Sequence, residues 1–323
     1  MKNNKLDLAI KANALLKGSL ESCAICPRKC RADRTKGKAG YCRALLNPVI
    51  YNYAPHRGEE PPISGKKGSG TIFFSHCNMK CIYCQNYYFS QLDKGEETSI
   101  EKLAGMMLGL QSKGCHNINF VSPTHYLPQI LMALEIALKG GLAIPIVYNT
   151  SGYESIDMIR LLKGIVDIYL PDMRYSDNAM AKRYSDAPDY VECNREAILE
   201  MQRQVGNLQL NDQEIAIKGL IIRLLVLPDG ISGTEASLRF IGDSISKNSY
   251  LSIMSQYYPT FKAYDHKEIS RGVTPEEYSN IVDEAKLLGL NNGWTQEAPQ
   301  ELDPKFLGTN IKPKAIDDGQ EIG

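Results

Sequence analysis

Six short apolar runs, rich in β-branched and aromatic residues, constrain this chain more than anything else in it. They are TIFFS (71–75), NINFV (117–121), IPIVY (144–148), VDIYL (166–170), GLIIRLLVL (219–227) and YLSIMSQY (250–257). Each is apolar along most of its length rather than at every second position, as a strand buried on both faces must be. Helical stretches lie between them. One opens on Thr98-Ser99-Ile100-Glu101, where a hydroxyl and a carboxylate stand three residues apart as a capping box requires, and runs on through Leu103, Met106, Met107 and Leu110. Another, LPQILMALEIALK, stops at Gly140-Gly141. The last opens at Thr274, with Pro275 at the first helical position and Glu277 closing a second box. Strand followed by helix, six times over, predicts an α/β fold with a parallel sheet. Six units are too few for a closed eight-stranded barrel. A doubly wound open sheet and a partial barrel both fit, and in either the functional loops lie beyond the carboxyl ends of the strands.

One such loop carries the chemistry. Directly after the first run come Cys77, Cys81 and Cys84, spaced C-x3-C-x2-C. The chain has nine cysteines and no export signal at its start, so reduced thiols in the cytoplasm are expected rather than disulfides. They cluster into 23–42 and 77–84, which reads as two metal sites, with Cys115 and Cys193 as plain buried thiols. A structural zinc site wants four ligands, and a [4Fe–4S] cluster normally takes four thiolates. Three leave one metal position open, where a substrate or cofactor can bind. The alternative is a zinc site completed by His76 or His56.

The loop in its strand context, GSGTIFFSHCNMKCIYCQNYYFSQ, resembles the radical S-adenosylmethionine (radical SAM) enzymes. More narrowly, CAICPRKC (23–30) and HRGEEPPISG (56–65) resemble the branch related to the pyruvate formate-lyase activating enzyme that carries an extra amino-terminal cysteine segment. The likeness covers roughly residues 20–290. It implies a partial (β/α)6 TIM-type barrel with a small cysteine-rich amino-terminal segment, and so chooses between the two architectures. It also implies a [4Fe–4S] cluster on Cys77, Cys81 and Cys84, with S-adenosylmethionine chelating the fourth iron and being cleaved to a 5′-deoxyadenosyl radical that abstracts hydrogen. By the same resemblance the cofactor is met by Tyr83, Asn86, Ser122, Thr124, His125, Asn149 with Thr150, Ser151, Asp172 with Arg174, and Arg223. Many members carry a Gly-Gly-Glu-Pro at the second strand; this chain has VSPTHY (121–126), with no carboxylate. A helix cap is the competing reading of Ser151. Arg223 interrupts an apolar strand, where a charge is rarely buried without a partner.

Cys23, Cys26, Cys30 and Cys42 supply a full set of four thiolates, open to zinc or to a second [4Fe–4S] cluster. Arg28, Lys29, Arg31, Arg34, Lys36, Lys38 and Arg43 around them would offset an anionic centre, as a solvated face. The chain is expected to divide into a metal-binding segment and strap (1–65), a radical SAM core (66–290) and a loosely ordered carboxyl-terminal extension (291–323). Lys plus Arg equals Asp plus Glu at 37 each, which argues against nucleic acid as a partner, and no run is long enough to span a membrane. Expected partners are a reductant such as flavodoxin or ferredoxin, and a glycyl-radical enzyme or another protein or peptide as substrate. A small-metabolite substrate is the runner-up, and a non-enzymatic iron–sulfur, zinc or electron-transfer protein is the reading from another class. Glu59, Glu60, His125, Tyr257 and Cys115 are candidates for the substrate pocket. GKKGSGT (65–71) lacks the Gly-Lys-Ser/Thr ending of a phosphate loop and precedes a strand rather than a helix.

Overall fold

A computed structural model describes residues 2–296. Its strands are β1 (Val49–His56), β2 (Ser69–Phe74), β3 (Glu96–Glu97), β4 (Ile118–Val121), β5 (Ile146–Thr150), β6 (Ile168–Pro171), β7 (Gln209–Leu210), β8 (Ala216–Leu225), β9 (Tyr250–Met254) and β10 (Asn292–Thr295). All join one sheet in the order β10-β9-β8-β6-β5-β4-β2-β1-β3, with β7 pairing on β8. The run from β2 to β10 is parallel throughout. β1 and β3 add an antiparallel edge at the other end.

The six apolar runs are β2, β4, β5, β6, β8 and β9. Two faces explain why they lack alternation. Ile118, Phe120, Ile146, Tyr148, Tyr169, Ile222 and Leu224 pack into one large core with Leu103, Met107 and Leu110 of one helix and Leu127, Ile130 and Leu134 of the next. The intervening residues Val147, Ile168, Leu170 and Ile221 form a second, smaller core around Ile63. The Glu59 carboxylate reaches Asn119 on β4, Asn149 on β5 and Arg223 on β8 together. Since β6 lies between β5 and β8, one side chain can touch all three strands only if the sheet curls. This is the mixed α/β, TIM-type arrangement with a parallel sheet.

Local chemistry sets the helix ends. The helix Pro275–Leu287 has the expected box, Thr274 accepting from the Glu277 N–H and Glu277 from the Thr274 N–H. Leu127–Lys139 ends at Gly140 as expected. The helix Ile100–Ser112 starts one residue later than its box predicts. Its cap is Ser99, accepting from Lys102, because buried Thr98 gives its N–H to the Pro48 carbonyl instead. The opening helix, Lys2–Leu15, lies against Leu127–Lys139, where Asn13 donates to Glu135 at 2.8 Å.

Residues 56–65, the end of the expected segment and strap, enter the sheet's inner side. β1 delivers the chain there, and a turn of helix at Pro61–Ser64 places Ile63 among the inner residues. β10 adds a seventh parallel strand within the expected carboxyl-terminal extension, whose remainder from 297 lies outside the described residues. No helix among the described residues is long and apolar enough to cross a membrane.

Candidate functional site

The three-cysteine loop leaves β2 at His76, whose φ of 70° turns the chain away from the sheet. Its ring is fully engaged, with Nδ1 2.9 Å from the Tyr126 hydroxyl and Nε2 3.0 Å from Asp93. His56 packs edge-on against Phe73 in β2. Neither histidine is placed as a fourth ligand. Backbone and side-chain bonds fix the loop: Lys80 N–H to the Ser185 carbonyl at 3.1 Å, Ile82 N–H to Tyr184 at 2.9 Å, and Gln91 to the Cys81 carbonyl at 2.8 Å.

Each thiol has a hydrogen-bonding partner of its own. The Met79 N–H points at Cys77 Sγ (3.4 Å), the Ser185 hydroxyl donates to Cys81 Sγ (2.9 Å), and the Ser90 hydroxyl lies 3.3 Å from Cys84 Sγ. Burial pushes Cys77 up to about 12 and Cys84 up to about 11, while Arg174 acts in the opposite direction on both. Such thiols ionise when a metal replaces the proton. Among the described residues no group of three or more His, Cys, Asp or Glu side chains is already arranged around a single metal ion. The test of fit is therefore chemical: sulfurs provided with hydrogen-bond donors and faced by a guanidinium suit a thiolate-bound iron–sulfur centre.

The amino-terminal cysteines pass a sharper test. Cys23, Cys26 and Cys42 are buried and Cys30 is exposed. Beneath them lies Arg34, 2% exposed. Its Nη1 donates to the His125 carbonyl at 2.6 Å, and its Nη2 to Cys23 Sγ at 3.0 Å and Cys42 Sγ at 3.6 Å. Among the described residues no carboxylate pairs with it. A buried guanidinium needs an anion, and among the described residues the groups it bonds that can carry negative charge are Cys23 and Cys42. Burial, aided by the neighbouring thiols, pushes Cys26 up to about 12 and raises Cys42. The arrangement is electrically complete only when the sulfurs are ionised, as metal binding makes them.

This segment is docked on the first loop. Arg28 donates to the Asn78 carbonyl at 3.0 Å and lies over the Tyr41 ring, 3.7 Å from its centroid. Arg43 pairs with Asp93 at 2.6 Å and donates to the Gln91 carbonyl at 2.7 Å. Three of the seven basic residues expected to form a solvated face are thus structural contacts. A cavity of about 340 Å³ lies between the two cysteine groups, lined by Cys42 from one and Cys77 from the other, with Tyr41, Lys80 and Lys262.

On the inner side of the sheet a line of alternating charge leads away from the first loop. Arg174 pairs with Asp172 at 2.5 Å. Asp172 also receives Arg223 Nε at 2.8 Å, and Arg223 Nη2 bonds Asn149 Oδ1 at 2.5 Å. Arg223 Nη1 stands 3.6 Å from Glu59, which accepts from Asn119 at 3.0 Å and Asn149 at 3.4 Å. Glu60 lies near Ser252 on β9, whose hydroxyl favours its ionised form. Burial pushes Glu59 and Glu60 upward, and Arg223 opposes it in both.

Of the residues singled out in the sequence, Asn149, Asp172, Arg174 and Arg223 meet here, with Glu59 and Glu60. The others lie elsewhere. The buried Tyr83 shares a 2.6 Å hydrogen bond with the Tyr175 hydroxyl and meets Tyr257 edge-on. Asn86 precedes the short helix Tyr87–Ser90 and accepts from its Ser90 N–H. Ser122 has a φ of 57° and gives its N–H to the Asn149 carbonyl. Ser151 caps no helix, since the next one begins after Ser155; its carbonyl takes the Tyr190 hydroxyl. Thr124 and His125 are on the helix-covered side, bonded to Glu154 and to the Ser75 carbonyl. Tyr257 donates to the Ile269 carbonyl, and Cys115 sits in the outer core. Glu154 was not foreseen. This carboxyl, 1% exposed, takes hydrogen bonds from Thr124, Thr150 and Tyr148, and burial pushes it up to about 7. No spacing around it gives a sequence signal.

A parallel βα sheet with a C-x3-C-x2-C loop at the carboxyl end of its first parallel strand defines a class, and comparison agrees. The Radical SAM superfamily model matches residues 71–204. The chain belongs to the radical SAM superfamily. An uncharacterized protein of Methanocaldococcus jannaschii is 30% identical over 300 residues, covering 90% of this chain and 81% of that one. A radical SAM methyltransferase from Sphaerobacter thermophilus shares the fold, with a TM-score of 0.50 at 13% identity over 75% of this chain and 70% of its own.

Proposed function

We propose that this protein is an enzyme that reductively cleaves S-adenosylmethionine at a [4Fe–4S] cluster held by Cys77, Cys81 and Cys84, and that the hydrogen it abstracts belongs to a glycine of a partner enzyme. When bound and reduced, the cluster would supply one electron to the sulfonium of S-adenosylmethionine, whose bond to the 5′ carbon breaks to leave methionine and a carbon radical. The chain's own residues place and shield. Met79, Ser90 and Ser185 address the three sulfurs, and Arg174 brings a positive charge to a buried anionic centre. Arg223 and Asn149 are the groups suited to a carboxylate and a hydroxyl of the cofactor.

The observation that carries this reading is the line of charge from the thiols through Arg174 and Asp172 to Arg223, on the sheet's inner side. The activase assignment is supported by CAICPRKC and HRGEEPPISG, which resemble that branch. The Arg34 contacts support a metal at Cys23, Cys26, Cys30 and Cys42. The test is anaerobic reconstitution, reduction by dithionite and measurement of 5′-deoxyadenosine. Product from the wild type and none from Cys81→Ala is expected; no product from a wild type carrying a full cluster sinks the proposal. For the activase, a glycyl-radical resonance should grow on a candidate partner enzyme, and stimulation of cleavage by a small molecule alone would favour the metabolite reading.

A further inference from the structure

Three buried hydroxyls stand in line behind the middle cysteine of the first loop. The Ser185 hydroxyl is 2.9 Å from Cys81 Sγ, the Tyr175 hydroxyl is 2.7 Å from Ser185 Oγ, and the Tyr83 hydroxyl is 2.6 Å from that of Tyr175. All three residues are 2% exposed or less. They come from different elements: Tyr83 from the cysteine loop itself, Tyr175 from the stretch after β6, and Ser185 from the last position of the helix Asn178–Ser185. The Lys80 and Ile82 N–H groups on the Ser185 and Tyr184 carbonyls tie the loop to that helix end and hold the line in register. Protons fix its sense. A metal-bound thiolate has no proton and only accepts. Ser185 must then spend its one proton on Cys81, its oxygen accepts from Tyr175, and the Tyr175 oxygen accepts from Tyr83. Three protons serve three bonds, and every one points toward the sulfur. Among the described residues no such line backs the other two sulfurs: the Ser90 hydroxyl lies 3.3 Å from Cys84 Sγ, and the Met79 N–H 3.4 Å from Cys77 Sγ.

We propose that Tyr83, Tyr175 and Ser185 form a polarised hydroxyl chain that raises, through Cys81, the reduction potential of the metal centre at Cys77, Cys81 and Cys84. A reduced centre carries one more negative charge than the oxidised one, and a donor aimed at a ligating sulfur stabilises that extra charge. In a dry interior a hydroxyl that accepts a hydrogen bond also donates more strongly, so Ser185 with two tyrosines behind it outweighs an isolated serine. Ser185 and Tyr175 are positioning residues, acting on the centre through one sulfur. The chain eases uptake of an electron from an external one-electron donor and makes the reduced centre a milder reductant. The inference rests on the iron–sulfur reading proposed above and deepens it.

The experiment is a potentiometric titration of anaerobically reconstituted full-length protein, followed by electron paramagnetic resonance, in wild type, Ser185→Ala, Tyr175→Phe and Tyr83→Phe. Each change removes one hydroxyl and little volume. The signal followed is the one that Cys81→Ala abolishes, which separates this centre from any metal at the amino-terminal cysteines. At a fixed potential the ratio of reduced to oxidised centre should fall roughly three- to tenfold in S185A, as for the loss of one hydrogen bond. The fall should be smaller in Y175F and smallest in Y83F. Ser90→Ala, which removes a hydroxyl with no chain behind it, should shift the ratio less than S185A. A merely structural role would not grade with distance from the sulfur. Protein reconstituted in D2O gives a second readout: the wild type should lose its most strongly coupled exchangeable deuteron on S185A substitution. Tyr175→Phe keeps the test open where S185A loads iron poorly, since an unshifted Y175F overturns the chain. Equal ratios in all the variants, each carrying a full cluster, overturn the inference and leave the proposed function standing. A wild type that takes up no cluster at these cysteines removes both, and iron analysis before the titration tells the two failures apart.

Discussion

Replacing Arg34 by methionine should have opposite consequences in the metal-loaded and the stripped protein. With the thiols ionised, Arg34 is half of a buried ion pair, bonded to Cys23 and Cys42 at 3.0 and 3.6 Å. Removing one partner of such a pair costs about 3–5 kcal/mol, because the remaining charge is left buried and alone. With the metal gone and the thiols reduced, burial keeps Cys26 and Cys42 protonated. Arg34 is then a buried cation without an anion, and an apolar residue of similar volume should be neutral or stabilising by about 1–4 kcal/mol. The lost bond to the His125 carbonyl enters both states and cancels. The difference between the two forms is therefore at least about 4 kcal/mol, taking the stripped form as neutral, which by linkage is roughly a thousandfold or greater loss in metal affinity. Competition against a chromophoric chelator with zinc(II), and iron retention after reconstitution, measure the affinity directly. Thermal unfolding supplies the other side of the cycle, where a loss of about 3 kcal/mol lowers the loaded protein's midpoint by roughly 6–12 °C. An equal effect in the loaded and stripped forms would refute the reasoning, since Arg34 would then not be balancing thiolate charge.

Asp172→Asn leaves Arg174 and Arg223 facing each other without their shared carboxylate, and a loss of roughly 3–5 kcal/mol in urea unfolding is expected; a change under about 1 kcal/mol would show the pair to be solvated. Gly219→Ala should destabilise by about 2 kcal/mol or more, because Gly219 has a φ of 126° and a Cβ there would stand 2.4 Å from Leu208 Cα. Gly242→Ala, with nothing within 4 Å of its Cβ, is the control expected to be neutral or better. His125 is fully buried and held down to about 3, so the unfolded chain takes up its proton near pH 6.5 while the folded chain does not. Its contribution is present above pH 6.5 and is lost as pH falls toward about 3, at roughly 1.4 kcal/mol per unit. Other groups titrate in this range, His56, His76 and His116 being held down by burial as well. Chemical unfolding from pH 7 to pH 4 should therefore show the wild type steeper than His125→Gln by about that slope, and parallel curves would contradict it.

The sheet was legible because strands buried on both faces leave uninterrupted apolar runs. β1 was not, since VIYNYAPH alternates, carries a proline and sits in a charged, glycine-rich neighbourhood that reads as a strap. The four residues NGWT of β10 are too few to show a period. In the site, the charge inside an apolar strand does have partners, Arg223 meeting Asp172 and Asn149. The second-strand motif shows the limit. Ser122 adopts a left-handed conformation directly after β4, and the two residues that follow its proline swing to the helix-covered side. Asn119, three residues earlier and on the opposite phase of the strand, is the polar residue that points inward. A one-residue change of phase moves a side chain to the other face, and sequence does not report such a turn.

The amino-terminal segment does more than carry four cysteines, because it grips the core from two directions. Outside, Arg28 and Arg43 bond backbone carbonyls at the two ends of the first cysteine loop, Asn78 and Gln91. Inside, the same segment continues through β1 and brings Glu59, Glu60 and Ile63 against the inner faces of β4, β5 and β8. The loop that would hold one metal centre is thus clamped by the segment that would hold the other, and the charges on the inner side of the sheet are completed by residues from that segment too. A core cut away at residue 66 would keep Asp172, Arg174 and Arg223 but lose the carboxylate beyond Arg223 and the side chain that fills the inner core. The two cysteine groups and the inner side of the sheet are therefore parts of one folding unit, and their metal content and stability should respond together.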